Sequence, residues 1–176
     1  MRRLNYGVAM TLDGFIAGPK GEYDWIVQDP AIDFVEMFTQ YDTLLMGRLT
    51  YEVATEKGKS WASMGHRWIV ASRTLKAEEH PNITILRDDV AEAVAALKTQ
   101  PGKDIWLMGG AVLFRCLLDA GLVDTVGVAV MPVIVGSGTP LLPAGQRRLL
   151  HLDQSKVLPS GIVMLDYSVV PEASAA

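Results

Sequence analysis

The sequence predicts an α/β fold: a single three-layer domain with a central, mostly parallel mixed sheet, helices on both faces of that sheet, and an antiparallel hairpin at the C-terminal end. Three observations carry this expectation. Short apolar runs alternate with amphipathic ones through roughly the first two thirds of the chain, the pattern of β-α-β units. Two of those runs end in glycine directly before a helical pattern, at Met46-Gly47-Arg48 and Met108-Gly109-Gly110. From Val123 onward, strand-like runs follow one another without helical patterns between them.

Taken in order, residues 3–10 (RLNYGVAM) read as a first strand, 31–40 (AIDFVEMFTQ) as a helix and 42–47 (DTLLMG) as a buried strand. A second helix is expected to begin near Thr50. Residues 67–72 (RWIVAS) and 83–86 (ITIL) read as further strands, and Asp88-Asp89 as the cap of a helix over 90–99 with Val90, Val94 and Leu97 on one face. Residues 105–108 (IWLM) form the next strand. Residues 111–120 (AVLFRCLLDA) follow as a helix with an apolar stripe of Leu113, Cys116, Leu117 and Ala120, ended by Gly121. The last strands are VDTVGVAVMPVIV, RRLLHLDQSKVLPS and GIVMLDYSVV, with Pro159-Ser160-Gly161 as the hairpin turn.

A chain of 176 residues suits one domain with a substantial core. No linker rich in Pro, Gly or Ser divides it, so one domain is expected over 1–170, with a disordered tail at 171–176 (PEASAA). Hydrophobic residues at 49% and charged residues at 20% are those of a globular protein rather than a disordered one. The net charge is −4 and the Lys and Arg residues are scattered, which argues against nucleic acid as a partner. Cys116 is the one cysteine, so a disulfide framework and a thiolate zinc site are excluded, and a reducing cytoplasm is expected. No metal site is expected. The apolar stretch after Met1 is broken by Asn5 and Gly7, too short for a signal peptide or a membrane span.

Glycine at a helix start lets a ligand reach the backbone N–H groups and the positive end of the helix dipole. Gly109 and Gly110 stand at such a place, although a tight turn without ligand explains a single glycine pair equally well. Met46-Gly47-Arg48, leading into Thr50-Tyr51-Glu52, is a second joint of the same kind. Ala71-Ser72-Arg73-Thr74 is a third, and it offers two hydroxyls and a guanidinium, donors suited to a phosphate monoester. Arg48 and Arg73 also suit plain surface charge.

The ordered set Thr11-Leu12-Asp13-Gly14, then Met46-Gly47-Arg48 with Thr50 and Tyr51 following, then Ser72-Arg73, then Gly109-Gly110, resembles the dihydrofolate reductase superfamily. It is most similar to the bacterial branch related to the C-terminal reductase domain of the riboflavin-biosynthesis deaminase/reductase. The resemblance spans nearly the whole chain. It implies an NADPH-dependent reductase that transfers a hydride to a small heterocycle, and often a homodimer. It implies that Gly47, Arg48 and Tyr51 lie at the cofactor pyrophosphate and adenosine phosphate, and that Ser72, Arg73 and Thr74 hold the 2′-phosphate that distinguishes NADPH from NADH. Gly109 and Gly110 match a joint where a cis peptide is characteristic, with Ala111, Val112 and Leu113 continuing under the pyrophosphate. Asp13 and Trp25 match the substrate side, and the loop through Gly18 and Gly21 matches a mobile flap over the nicotinamide. Trp25 suits a core aromatic equally well.

The match to the folate-reducing members is incomplete. Counting from Asp13 places Asp29 near their catalytic carboxylate, with Asp33 as a second candidate, while Asp29 also suits a helix cap before Pro30. Ala129 stands where their threonine is expected. Met108 replaces an acidic residue of the riboflavin branch, whereas 132–143 (PVIVGSGTPLLP) is similar to that branch's glycine-rich segment. Two functions therefore stand side by side: a reductase of a pterin-like or pyrimidine-like heterocycle, and a nucleotide-binding protein without catalysis.

Overall fold

The apolar runs of the sequence become the inner strands of one sheet. A computed structural model describes residues 1–56 and 65–171. In chain order the elements are β1 (Leu4–Thr11), β2 (Phe15–Ala17), α1 (Phe34–Thr39), β3 (Tyr41–Gly47), α2 (Arg48–Glu56), β4 (Arg67–Ala71), a 3-10 turn (Ala77–Glu79), β5 (Thr84–Leu86), α3 (Val90–Thr99), β6 (Asp104–Gly109), α4 (Ala111–Asp119), β7 (Thr125–Met131), β8 (Thr139–Pro140), β9 (Leu150–Val157) and β10 (Val163–Val169). Eight of the strands form one sheet in the order β5-β4-β3-β6-β1-β7-β10-β9. The first six in that order run parallel, and β10 and β9 close the sheet as the expected antiparallel hairpin.

Both faces are covered over the parallel part, as a parallel sheet requires. On one face, Leu45, Ile69, Ile105 and Leu107 meet Val94 and Leu97 of α3 and Leu113, Phe114, Leu117 and Leu118 of α4. Tyr6 of β1 stacks on Phe114 there, ring centroids 3.7 Å apart. On the other face, Leu44, Met46, Trp68, Val70 and Trp106 meet Phe38 of α1 and Tyr51 and Ala54 of α2. A third apolar cluster, beyond the helices on this second face, joins Met131, Leu158 and Ile162 to Trp25, Ile26, Ile32, Ala9, Ala129 and Met164.

The amino ends of the strands are tied by charge. Lys98 donates to Asp124 at 2.5 Å and to the Leu122 carbonyl at 2.6 Å, and Asp124 accepts from the Leu4 N–H at 2.6 Å. Arg2 pairs with Asp42 and donates to the Thr43 hydroxyl at 2.7 Å. With that end fastened, the ends where the glycine joints lie are free to be shaped by loops.

Several expectations change in detail. The helix expected over 31–40 is shorter, because the Asp29 carboxylate accepts from the Ala31 N–H and the Ile32 N–H bonds the Asp29 carbonyl, closing a turn first. Asp33 then caps α1, accepting from the Glu36 N–H at 2.9 Å. Asp89 does stand at the cap position of α3, but with φ of 49° and no capping bond from its side chain. Cys116 and Ala120 are exposed, and the buried stripe of α4 runs through Leu113, Phe114, Leu117 and Leu118 instead. The α2 helix begins at Arg48, directly after the glycine. Residues 132–135 leave the strand that 123–135 was expected to form, and β8 pairs with β2 in a separate two-stranded sheet. The hairpin turn is as expected: Gly161 takes φ of +87° and donates to the Leu158 carbonyl at 2.9 Å. Of the tail, 172–176 lies outside the described residues.

Leu107 is fully buried between β1 and β3, in contact with the α3 and α4 layer. Leu107→Ala is expected to lower the unfolding free energy by about 2–5 kcal/mol, whereas Cys116→Ser at its exposed site stays within about 0.5 kcal/mol. Urea denaturation of the two variants measures both, and equal losses would contradict the placement of Cys116.

Candidate functional site

Three strand-to-helix or strand-to-loop joints stand side by side at the carboxyl ends of β4, β3 and β6. Ala71 pairs with Gly47, and Met46 pairs with Gly109. Neighbouring strands lie about 4.8 Å apart, so the three joints form one continuous row. Pairing of β3 with β6 slips here, from Leu45 opposite Leu107 to Met46 opposite Gly109. Met108 is the extra residue of that bulge, which carries the Gly109-Gly110 joint forward over the sheet.

The row is lined by bare backbone. A Cβ added to Gly47 would lie 3.5 Å from the Gly110 nitrogen. The Gly109-Gly110 peptide is cis, and Gly109 takes φ of +131°, a conformation other residues rarely adopt. Gly110 differs: its φ is −90°, and an added Cβ would have the Thr50 hydroxyl at 3.9 Å as its nearest neighbour. The first intrahelical bond of α4 runs from the Phe114 N–H to the Gly110 carbonyl at 3.0 Å. The N–H groups of Ala111, Val112 and Leu113 precede it and have no partner in the helix, and Gly110 has no side chain to cap them. Ala111 and Leu113 bury their side chains in the core while Val112 is exposed, so α4 offers a ligand its backbone at this end.

The 72–75 loop continues the row beyond β4. Ser72 is buried, and its hydroxyl accepts from the N–H groups of Thr74 at 3.2 Å and Leu75 at 3.1 Å. Its own N–H donates to the Leu86 carbonyl at 2.9 Å. Arg73 projects outward with its side chain 84% exposed, 3.7 Å from Asp88. Arg48 is half-exposed and pairs with Glu52 one turn along α2 at 2.6 Å. Tyr51 is buried edge-on against Trp68, its hydroxyl 3.0 Å from His80 Nδ1, and burial raises its pKa. Its hydroxyl is thus engaged with the 3-10 turn.

At the positions expected to face a substrate, the carboxylates bind backbone. Asp13 accepts from the Thr11 hydroxyl at 2.6 Å, the Gly136 N–H at 2.7 Å and the Val135 N–H at 3.3 Å. The Thr11 hydroxyl foremost, then those N–H groups, hold its pKa below the usual aspartate value. Asp29 accepts from the Ala31 N–H at 2.8 Å with one oxygen and from the Ser160 N–H at 3.1 Å with the other. The Ser160 hydroxyl beside it, then the Ala31 N–H, lower its pKa as well. Asp29 thereby joins the 25–32 loop to the hairpin turn. Trp25 donates to the Glu22 carbonyl at 3.1 Å and packs near Ala129 in the third apolar cluster. The start of the expected flap is itself a strand, β2, paired with β8.

The structure therefore brings Gly47, Gly109, Gly110 and the start of α4 together, with Ser72, Arg73 and Thr74 at the end of the same row. Asp13, Asp29 and Trp25 belong to the loops beside β1 and β7. Two residues gain a place at the site that the sequence did not assign them, although Thr50 was part of the motif. Thr50 puts its hydroxyl 3.3 Å from where a Gly109 Cβ would be, and its place three residues after Gly47 was a usable signal. Arg87, just after β5, donates to the carbonyls of Arg73 and Leu75, a partnership no local pattern announces. Among the described residues, no cluster of three or more His, Cys, Asp or Glu could hold a metal, and no helix is long and apolar enough to cross a membrane.

Comparison with known proteins bears on the family and the fold. Residues 2–164 match the family model of the RibD C-terminal domain. The chain is 36% identical to YyaP of Bacillus subtilis strain 168, an uncharacterized protein, over 94% of each chain. A riboflavin biosynthesis protein, so described, from Shewanella sp. PV-4 superposes with a TM-score of 0.82 at 22% identity, covering 97% of this chain and all of that one. A diaminohydroxyphosphoribosylaminopyrimidine deaminase/5-amino-6-(5-phosphoribosylamino)uracil reductase from Thermotoga maritima gives a TM-score of 0.74 at 19% identity, covering 96% of this chain and 57% of that one. The fold is that of dihydrofolate reductase-like proteins.

The bonds to Asp29 set a pH dependence. A carboxyl whose folded pKa is depressed adds stability above its unfolded pKa of about 3.9 and loses it as the pH falls through the folded value. Wild type is expected to melt above Asp29→Asn at neutral pH, with the gap closing as the pH drops below about 4. Thermal melts between neutral and acid pH measure it, and a constant gap would show that the charge of Asp29 contributes nothing.

Proposed function

The chain belongs to the RibD C-terminal domain family, and from that premise we propose that it is an NADPH-dependent reductase that delivers a hydride to a small electron-poor heterocycle of the pterin or pyrimidine kind. One observation carries the reading: three joints suited to phosphate lie in a single row, with Gly47 placed so that a Cβ on it would come within 3.5 Å of the Gly110 nitrogen. The residues fit a phosphorylated dinucleotide, because a Cβ at Gly110 would stand in otherwise open space before the free N–H groups of α4. In the proposal, those N–H groups and Gly47 receive the pyrophosphate, and Arg48 with the 72–74 loop receives the adenosine phosphate.

The bound nicotinamide would supply the hydride. The chain's part is to align the acceptor and keep water away from it. Trp25, Ala9, Ala129 and Met164, each partly exposed, would offer the acceptor ring an apolar wall backed by the buried Met131. Asp29, ionised at neutral pH, serves as an acceptor that holds this wall in place, and the proton that follows the hydride comes from water. The proposal includes a small-molecule partner rather than nucleic acid, a homodimer and a cytoplasmic location.

Nucleotide binding without catalysis is the second reading, favoured by Ala129 on β7 and by the engagement of both Asp29 oxygens with backbone. Steady oxidation of NADPH in the presence of a pterin, pyrimidine or nitroaromatic acceptor would eliminate it.

Titration with NADPH and NADH, read by quenching of tryptophan fluorescence, tests the cofactor. NADPH is expected to bind more tightly, and equal weak binding of both would count against the proposal. Arg73→Glu is expected to weaken NADPH roughly tenfold or more while leaving NADH nearly unchanged, because a charge-assisted contact to the monoester is lost. Gly110→Ala separates stability from binding. Its φ and surroundings accept a methyl group, so the variant is expected to melt near the parent but to lose most of the thermal shift that saturating NADPH produces. A full shift in that variant would remove Gly110 from the site.

A further inference from the structure

The 72–75 loop owes its shape to a side chain just beyond the next strand, β5. The Arg87 guanidinium donates from Nη1 to the Arg73 carbonyl at 3.1 Å and from Nη2 to the Leu75 carbonyl at 2.7 Å. Its planar fork thus spans two carbonyls of one turn, a geometry that a lysine ammonium cannot reproduce. The Ser72 N–H bond to Leu86 and the two N–H bonds accepted by the Ser72 hydroxyl fix the rest of the loop.

These bonds have an electrostatic consequence. Carbonyl oxygens are the negative ends of peptide dipoles, and two of them turned toward a phosphate dianion would repel it. Arg87 holds both toward itself. Meanwhile Arg73 points into solvent, and its one ion-pair partner among the described residues is Asp88, at 3.7 Å with both side chains more than three-quarters exposed. Such a pair is weak and readily exchanged for a better anion. One arginine thus organises the backbone so that another is available.

Resting on the NADPH reading above, we infer that Arg87 is a positioning residue that sets the preference for NADPH over NADH through the 72–75 loop, without itself touching the dinucleotide. Dissociation constants of NADPH and NADH for the parent, Arg87→Lys and Arg87→Ala, together with the melting temperature of each protein, test it. In both variants the NADPH constant is expected to rise about fivefold to thirtyfold, from losing hydrogen bonds made by a charged group, with NADH changing less than about twofold. Lysine keeps the charge but not the fork, so retention of parental selectivity by Arg87→Lys alone would mean that Arg87 acts by charge and would overturn the inference. Equal weakening of both dinucleotides would reveal a general structural role and overturn it too, as would unchanged selectivity in both variants. If Arg87→Ala does not fold, Arg87→Lys decides by the same criteria. A parent protein that binds the two dinucleotides alike would overturn the NADPH reading and this inference with it.

Discussion

The ends of β3 and β6 approach so closely that a Cβ on Gly47 would lie 3.5 Å from the Gly110 nitrogen. With glycine at both positions, the bare helix start of α4 lies beside the end of β3, so its N–H groups and that joint are open on the same row. The bulge at Met108 and the left-handed backbone of Gly109 serve the same approach from the β6 side. The row of joints is therefore a property of backbone geometry, and the side chains around it adjust what that backbone can hold.

Loops around the row are secured by a recurring device, in which a polar side chain bonds loop backbone, across the chain for Asp13, Asp29 and Arg87 and within its own turn for Ser72. Asp13 holds the 135–136 segment, Asp29 holds the hairpin turn, and Ser72 and Arg87 hold the 72–75 loop. Each bond satisfies backbone groups that regular structure leaves unpaired, which buried or half-buried loops need. The cost is chemical. An aspartate whose oxygens are occupied by N–H groups is a poor proton donor, and the loops beside β1 and β7 add to it a cluster of apolar side chains. That distinguishes this chain from the folate-reducing pattern, where a carboxylate handles the pterin.

The fold class, the hairpin and the glycine joints were legible in the sequence because each is announced by residues close together: a periodic apolar run, a glycine before a helix, Pro159-Ser160-Gly161 at a turn. The burial of α4 was less so. Cys116 reads as apolar, but the helix turns Leu113, Phe114, Leu117 and Leu118 inward, and only the position of the sheet selects between the two stripes. Likewise Asp29, Pro30 and Ala31 read as the beginning of a helix, yet the Asp29 carboxylate closes a turn and delays α1 to Phe34.

By itself the sequence determined that strands alternate with helices, that an antiparallel hairpin closes the sheet, and that Gly47 and the Gly109-Gly110 pair each stand where a strand meets a helix, since these follow from local periodicity and backbone freedom. Tertiary structure alone decided which joints are neighbours, which loop carbonyls Arg87 receives, and that Asp29 meets the Ser160 N–H across 131 positions of sequence. Those partnerships depend on strand order and register, which arise when the whole sheet assembles and which no short stretch of chain encodes.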